Sequence, residues 1–259
     1  MDILNVISFG SGKQSTYMLL TALRGAYDFK PDLAIFADTG CEPEYVYQYL
    51  DWIKQEVKRK YDFDIVIVKK GDLVQAAIDR VDGRAKRASQ IPFFTEDTGA
   101  PLMRQCTGDY KIGPVRKYLQ KVRNGKRVNL WIGISLDEME RQKQSNVKYI
   151  KHYYPLIEKR ISIDNIKQWF LANDIPEPMK SSCLICPFHS KKYWQVFKKN
   201  FPKEFEKACL FDDKIRNYPG LKSRAYIYKE LKPLRDIDFT QQPSLFPELI
   251  EECYGLCGL

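Results

Sequence analysis

Fifteen residues at the N-terminus constrain the fold more than any other part of the chain: Val6-Ile-Ser-Phe-Gly-Ser-Gly-Lys-Gln-Ser-Thr-Tyr-Met-Leu-Leu20. They pass from an apolar strand through a tight Gly/Ser turn directly into an amphipathic helix. Backbone N–H groups freed by such a turn, with the positive end of the helix dipole, make a pocket for phosphate. Gly10 and Gly12 let the backbone approach an anion with no Cβ in the way. Lys13 adds a mobile positive charge, and Ser15 and Thr16 add hydroxyls in the first helical turn. An ordinary strand-to-helix turn would look similar. The loop is also not a Walker A loop, because Gly12-Lys13 is followed by Gln14 and not by Ser or Thr.

The residues that follow alternate strand and helix signals. Short apolar or β-branched runs at Ile3–Phe9, Leu33–Ala37, Ile65–Val68 and Val128–Ile134 are strand candidates. Helical patterns lie between them at Ser15–Leu23, Tyr45–Tyr61, Leu73–Arg80 and Pro114–Val122. The alternation predicts an α/β, doubly wound, mostly parallel sheet covered on both faces. Ligands in such folds bind beyond the carboxyl ends of the strands. The Gly/Ser loop, Asp38-Thr39-Gly40 and Gly133-Ile134-Ser135 all fall at such ends. Asp82–Arg104 is basic and irregular and reads as a long surface loop or lid. Beyond about Lys148 the chain reads as a smaller, mainly helical region, clearest at Asp164–Ala172 and Lys191–Phe201, ending in a tail over Pro233–Leu259. The expected division is a nucleotide-binding unit over 1–147 and a helical, cysteine-containing unit over 148–259.

A chain of 259 residues that is 44% hydrophobic can bury a full core. No apolar run has membrane-spanning length and no signal peptide is evident, so a cytoplasmic location with no membrane partner is expected. A formal charge of +9 favours a polyanionic partner. Lys180–Lys232 interleaves basic residues with Tyr193, Trp194, Phe197, Phe201, Tyr218, Tyr226 and Tyr228. Such aromatics can stack on bases or form helix core. With only His152 and His189 present, histidine-rich zinc catalysis has little material. Seven cysteines in a cytosolic setting point to metal or redox chemistry and not to a disulfide framework. Cys183-x-x-Cys186 has the spacing of a metal-binding thiol pair.

Five segments, in order, resemble the PP-loop ATP pyrophosphatase (adenine nucleotide alpha hydrolase-like) superfamily, in its branch related to phosphoadenosine-phosphosulfate reductase. They are Gly10–Thr16, Phe36–Glu44 with its Asp38-Thr39-Gly40, Arg104–Pro114, Gly133–Glu138 with Arg141, and Cys183–Phe188. The usual loop signature there is Ser-Gly-Gly-Lys-Asp-Ser-Thr. Here Ser11 stands for a glycine and Gln14 for the acid, which puts metal assistance from position 14 in doubt. The resemblance implies a site for ATP with Mg²⁺, built from Ser8, Phe9, Gly10, Ser11, Gly12, Lys13, Gln14, Ser15 and Thr16. Asp38, Thr39 and Gly133 would lie near the nucleoside. It also implies attack at the α-phosphorus with loss of pyrophosphate, served by Lys13 and Ser15 together with Lys111 and Arg141, Arg104 being a further candidate.

In iron–sulfur members of the branch, cluster ligands fall where Cys106, Cys183 and Cys186 stand here. Three thiolates would leave one iron of a [4Fe–4S] cluster open. The alternative metal is Zn²⁺, with His189 as fourth ligand. The C-terminal Cys253-Tyr-Gly-Leu-Cys257-Gly-Leu259 resembles part of the reductases' catalytic cysteine motif, which makes Cys257 a catalytic candidate. Cys41 and Cys209 carry no partner signal and read as small buried hydrophobes.

Three functions stay open at this point. The first is an adenylating sulfurtransferase acting on a nucleic acid, tRNA or DNA, with a sulfur-donor protein as partner. The second is a sulfonucleotide reductase using Cys257 and a thioredoxin-type donor. The third is a nucleotide-binding subunit of a larger complex. A homodimer is compatible with each.

Overall fold

A computed structural model describes residues 2–240. Its centre is a five-stranded parallel sheet, with β1 Ile3–Phe9, β2 Leu33–Asp38, β3 Ile65–Lys69, β5 Arg127–Ile132 and β6 Ile150–Tyr153 in the order β3-β2-β1-β5-β6. The register places Val6 opposite both Leu33 and Leu130. Strands in such a sheet must bury both faces, and the alternation is visible residue by residue. Ile7, Phe36 and Trp131 pack with the helices α1 Lys13–Leu23, α2 Glu44–Tyr61 and α6 Ile163–Ala172. Val6, Ile35, Leu130 and Ile132 face the other way, toward Val115 and Leu119 of α4 Gly113–Val122. The sheet is therefore doubly wound, as the apolar strand runs predict.

β6 was not legible in the sequence. Ile-Lys-His-Tyr is short and half polar, and only pairing with β5, Val128 opposite Ile150, makes it a strand. Among the described residues no helix is long and apolar enough to cross a membrane.

A second core lies beyond the sheet. It joins α3 Leu73–Val81, α7 Lys191–Asn200 and α8 Pro202–Lys214 with the short antiparallel pair β4 Phe94–Thr95 and β7 Ala225–Tyr226. The remaining helix, α5, is the single turn Pro155–Glu158. Two expectations are corrected here, and one open alternative is decided. The segment read as a lid is pinned to this core, because Ile91, Phe93 and Phe94 are buried in it. Trp194, Phe197, Tyr226 and Tyr228 are core and not a base-stacking surface; Trp194 is 0% exposed. The start of the expected tail is packed as well, through Leu234, Ile237 and Phe239.

Candidate functional site

The strand order reverses direction between β1 and β5, and the main cleft opens at their carboxyl ends, where a doubly wound sheet leaves a crevice. Gly10, Gly12, Lys13, Gln14 and Ser15 form one wall, with Ser8 and Phe9 at the end of β1 and Gly133 at the end of β5. α1 starts at Lys13 with Gly12 as its N-cap, so the amides of the first turn have no partner within the helix. Ser15 organises the loop from inside: its Oγ accepts from the amides of Gly10 and Gly12, each at 3.2 Å, and donates to the Gly12 carbonyl.

Ser11 explains why a glycine is usual at its position. Its φ of +58° is left-handed, which costs a non-glycine residue about 1–2 kcal/mol, and its hydroxyl is buried without a partner. At Gly133 a Cβ would come within 3.1 Å of the Ser15 amide nitrogen, so glycine is what lets β5 approach the loop. Gln14 spans the cleft edge, donating from Nε2 to Ser135 Oγ (2.9 Å) and Glu138 Oε2 (2.7 Å). A carboxylate at position 14 could not make those bonds.

The cleft is strongly basic. Among the described residues, Lys13, Lys111, Arg116, Arg141 and Lys180 line it against a single carboxylate, Glu42. Such a lining concentrates positive potential where phosphates would sit. Lys13 is ion-paired with Glu177 and Arg141 with Glu138. An apolar end is contributed by Val115, Leu130, Ile132 and Ile150. Arg116, Lys180, Ser181 and Glu42 were missed as wall residues in the sequence. Lys180 and Ser181 stand only three and two residues before Cys183, and that proximity is the signal that could have found them.

Not every expected nucleotide residue reaches this cleft. Asp38 lies off its wall, held by Lys69 (2.8 Å), the Gly40 amide (2.7 Å) and the Tyr47 hydroxyl (2.8 Å). Burial would raise its pKa, but these partners together hold it below the usual carboxylate range. Thr16 is fully buried under the loop, and Thr39 faces a second cleft.

That second, smaller cleft brings together Cys106, Cys183 and Cys186, with Thr39, Arg104 and Lys111. Cys106 leads into a π-helical turn, Gly108–Ile112, that carries Lys111. Cys183 and Cys186 sit on a turn closed by the Cys186 amide to the Cys183 carbonyl (3.0 Å). A fourth thiol, Cys41, meets Cys183; this contact and burial push its pKa well up. The expectation that Cys41 is only a packing residue is thus incomplete, whereas Cys209 is plainly buried. The donor chemistry fits a soft metal, and three thiols share one cleft. Among the described residues, however, no three Cys, His, Asp or Glu side chains are grouped closely enough to hold a metal ion.

His189 does not join them. Its Nε2 lies 2.9 Å from the Cys183 carbonyl, which can only accept, so this nitrogen carries the proton. The ring stacks on Tyr193 at 3.7 Å. His189, the residue that the zinc alternative would use as its fourth ligand, braces the Cys183 turn through its bond to that carbonyl. Burial and the charge of Lys180 push its pKa down from 6.5 to about 3. Between those values the unfolded chain binds the extra proton, so acid favours unfolding. Denaturant titrations should show stability falling from pH 6.5 toward pH 3, with His189 adding a slope of up to about 1.4 kcal/mol per pH unit. His189→Gln, which can keep the bond to the carbonyl, should flatten that slope. Cys253 and Cys257 lie outside the described residues.

Comparison with known proteins adds three findings. Residues 4–194 match the phosphoadenosine phosphosulfate reductase domain. A curated relative is the uncharacterized nin region protein ORF290 of Escherichia phage lambda, 26% identical over 196 residues, which are 71% of this chain and 66% of that protein. Among solved structures, the U34-tRNA thiolase NcsA from Methanococcus maripaludis with its [4Fe-4S] cluster aligns with a TM-score of 0.44 at 16% identity, over 82% of this chain and 71% of that one. With the family match spanning the sheet, the phosphate loop and the paired cysteines, the chain belongs to the phosphoadenosine phosphosulfate reductase domain family.

Proposed function

We propose that the chain binds ATP with Mg²⁺ in the basic cleft and adenylates an oxygen of a nucleic acid, tRNA or DNA, releasing pyrophosphate so that sulfur can replace that oxygen. One observation carries this reading: the phosphate cleft and the thiol cleft share Lys111, and Glu42 on the first wall meets Cys183 on the second at 3.5 Å. A site that only bound nucleotide would have no use for cysteines on the adjoining wall.

In this reading the amides of the α1 first turn and Lys13 hold the phosphates, while Arg116 and Arg141 offset charge on departing pyrophosphate. The apolar end gives a purine ring a dry wall. Cys106, Cys183 and Cys186 are the residues that would hold an iron–sulfur cluster, which when bound supplies sulfur beside the activated atom. Zinc on the same thiols is the structural alternative.

Anaerobic purification followed by an absorption spectrum and iron, sulfide and zinc analysis tests the thiol site. Iron and sulfide with a broad brown absorbance are expected, and Cys106→Ala should lose both while still binding ATP. Stoichiometric zinc in a colourless protein would overturn the cluster assignment. Pyrophosphate release that depends on added tRNA or DNA tests the reaction itself.

The family match favours one other reading, a sulfonucleotide reductase, because a phosphosulfate would suit the same basic cleft. It predicts sulfite release without pyrophosphate, lost in Cys257→Ser.

A further inference from the structure

The family resemblance points to an acid in the phosphate loop, and this chain has Gln14 there, so a magnesium nucleotide needs its carboxylate from elsewhere. We propose that Glu42 is that carboxylate, and that its Oε2 atom holds a divalent cation against the phosphates of the bound nucleotide. The proposal deepens the nucleotide reading above and rests on it.

Mg²⁺ at nucleotide sites is held by one or two carboxylates, the phosphate oxygens and water. Gln14 cannot stand in through its nitrogen, which donates to Ser135 and Glu138. Because the Glu138 carboxylate only accepts, that end of the amide is fixed as the donor. The other carboxylates nearby are engaged. Asp38 has three partners and lies off the wall, Glu138 is taken by Gln14 and Arg141, and Glu177, the partner of Lys13, is not among the wall residues. Among the described residues Glu42 is the only acid lining the cleft.

Glu42 is also half satisfied in an unusual way. Its side chain is 3% exposed. Oε1 accepts from the Thr39 hydroxyl at 3.3 Å and the Cys183 thiol at 3.5 Å, with Lys111 Nζ at 3.6 Å. Oε2 is buried and has no partner among the described residues. A buried carboxylate oxygen without a partner is rare in folded proteins, because its desolvation goes uncompensated. Oε1 is fixed by three groups, so the carboxylate cannot turn to pair its second oxygen. A hard cation at Oε2 meets that need, and the oxygen is of the type Mg²⁺ and Mn²⁺ prefer over soft metals. The same carboxylate then touches Cys183 on one side and the nucleotide's metal on the other.

Mn²⁺ is the probe, with the full-length chain. ATP affinity is measured by calorimetry with Mg²⁺ and with EDTA, and bound Mn²⁺ is followed by electron paramagnetic resonance in the presence of ATP. Wild type should bind ATP more tightly with the metal and immobilise Mn²⁺. Glu42→Gln should lose the Mn²⁺ signal, with metal affinity falling by at least about tenfold, the loss already seen for disturbed outer-shell partners. Its affinity for ATP in EDTA should not fall below that of wild type, because the change removes a negative charge from the cleft wall. A variant that keeps both the signal and the metal dependence overturns the proposal. Should Glu42→Gln fail to fold, wild type labelled with ¹³C at the glutamate carboxyl reads the same contact. A ¹³C hyperfine coupling to Mn²⁺ supports it, and none overturns it. If wild type binds ATP neither with Mg²⁺ nor in EDTA, the nucleotide reading itself has failed, whereas equal binding under both conditions overturns the metal proposal alone.

Discussion

Lys13→Ala and Ser15→Ala are each expected to abolish pyrophosphate release, a loss of about 10²–10³-fold if each removes the equivalent of one preorganised donor to the reacting group. The two losses have different origins. Lys13 offers its ammonium to the cleft and is ion-paired with Glu177, a partner that a nucleotide phosphate would displace. Its removal should weaken phosphate binding without moving the loop. Ser15 acts on the loop itself, because its hydroxyl gathers the Gly10 and Gly12 amides and the Gly12 carbonyl. Without it the loop, already strained at Ser11, loses the ties that hold its amides toward one point. Titration with ATP and a pyrophosphate assay check both variants, and thiol reactivity at Cys106 and Cys183 should stay as in wild type. Full activity in both would remove the loop from the mechanism.

Asp212→Ala should be the most damaging single change to stability, at about 3–5 kcal/mol, the range for breaking a buried ion pair by removing one partner. Asp212 is 0% exposed on α8. Its Oδ1 accepts from the Ile227 amide (2.7 Å), and its Oδ2 from the Leu234 amide (3.0 Å) and Arg216 (2.5 Å). One carboxylate thus ties α8 to β7 and to the 3-10 turn Leu234–Asp236. Its loss leaves two buried amides without an acceptor and removes the short ion pair of Arg216, which keeps only the Ala225 carbonyl, the more distant Asp213 and the Tyr226 ring. Urea melts of Asp212→Ala and Asp212→Asn should both show the loss, with Asn retaining part of the amide bonding. A shift below about 1 kcal/mol would mean that the Ile227 and Leu234 amides and Arg216 are satisfied without Asp212, contrary to the usual cost of an unmet buried donor.

Most of the sheet was legible because its strands are buried on both faces and so read as apolar runs. Ile3–Phe9 matches β1 residue for residue, and the four helical patterns of the first half match α1 to α4 within two residues at either end. The phosphate loop was legible because its demands are local: glycine for close approach and a helix start directly after. The thiol site was half legible. Cys183 and Cys186 announce themselves by spacing, and the fold brings Cys106 to the same cleft. Cys41 carries no spacing signal, since its contact with Cys183 spans 142 positions of chain that only folding closes.

The errors share one cause. Asp82–Arg104 is basic and punctuated enough to read as a loop, and Ile91, Phe93 and Phe94 become core only because β7 and α8 arrive from far along the chain. His189 has a ligand's spacing after Cys186, yet its Nε2 is spent on the Cys183 carbonyl. Local pattern, then, determined the α/β class, the phosphate loop and the paired cysteines, because period, glycine placement and thiol spacing act over a few residues. Tertiary structure alone decided that the two clefts share Lys111, and that Glu42, one of 33 acidic residues, is the acid left on the cleft wall with a buried oxygen unmatched. Burial and partner choice are properties of the packed whole, and no window of sequence contains them.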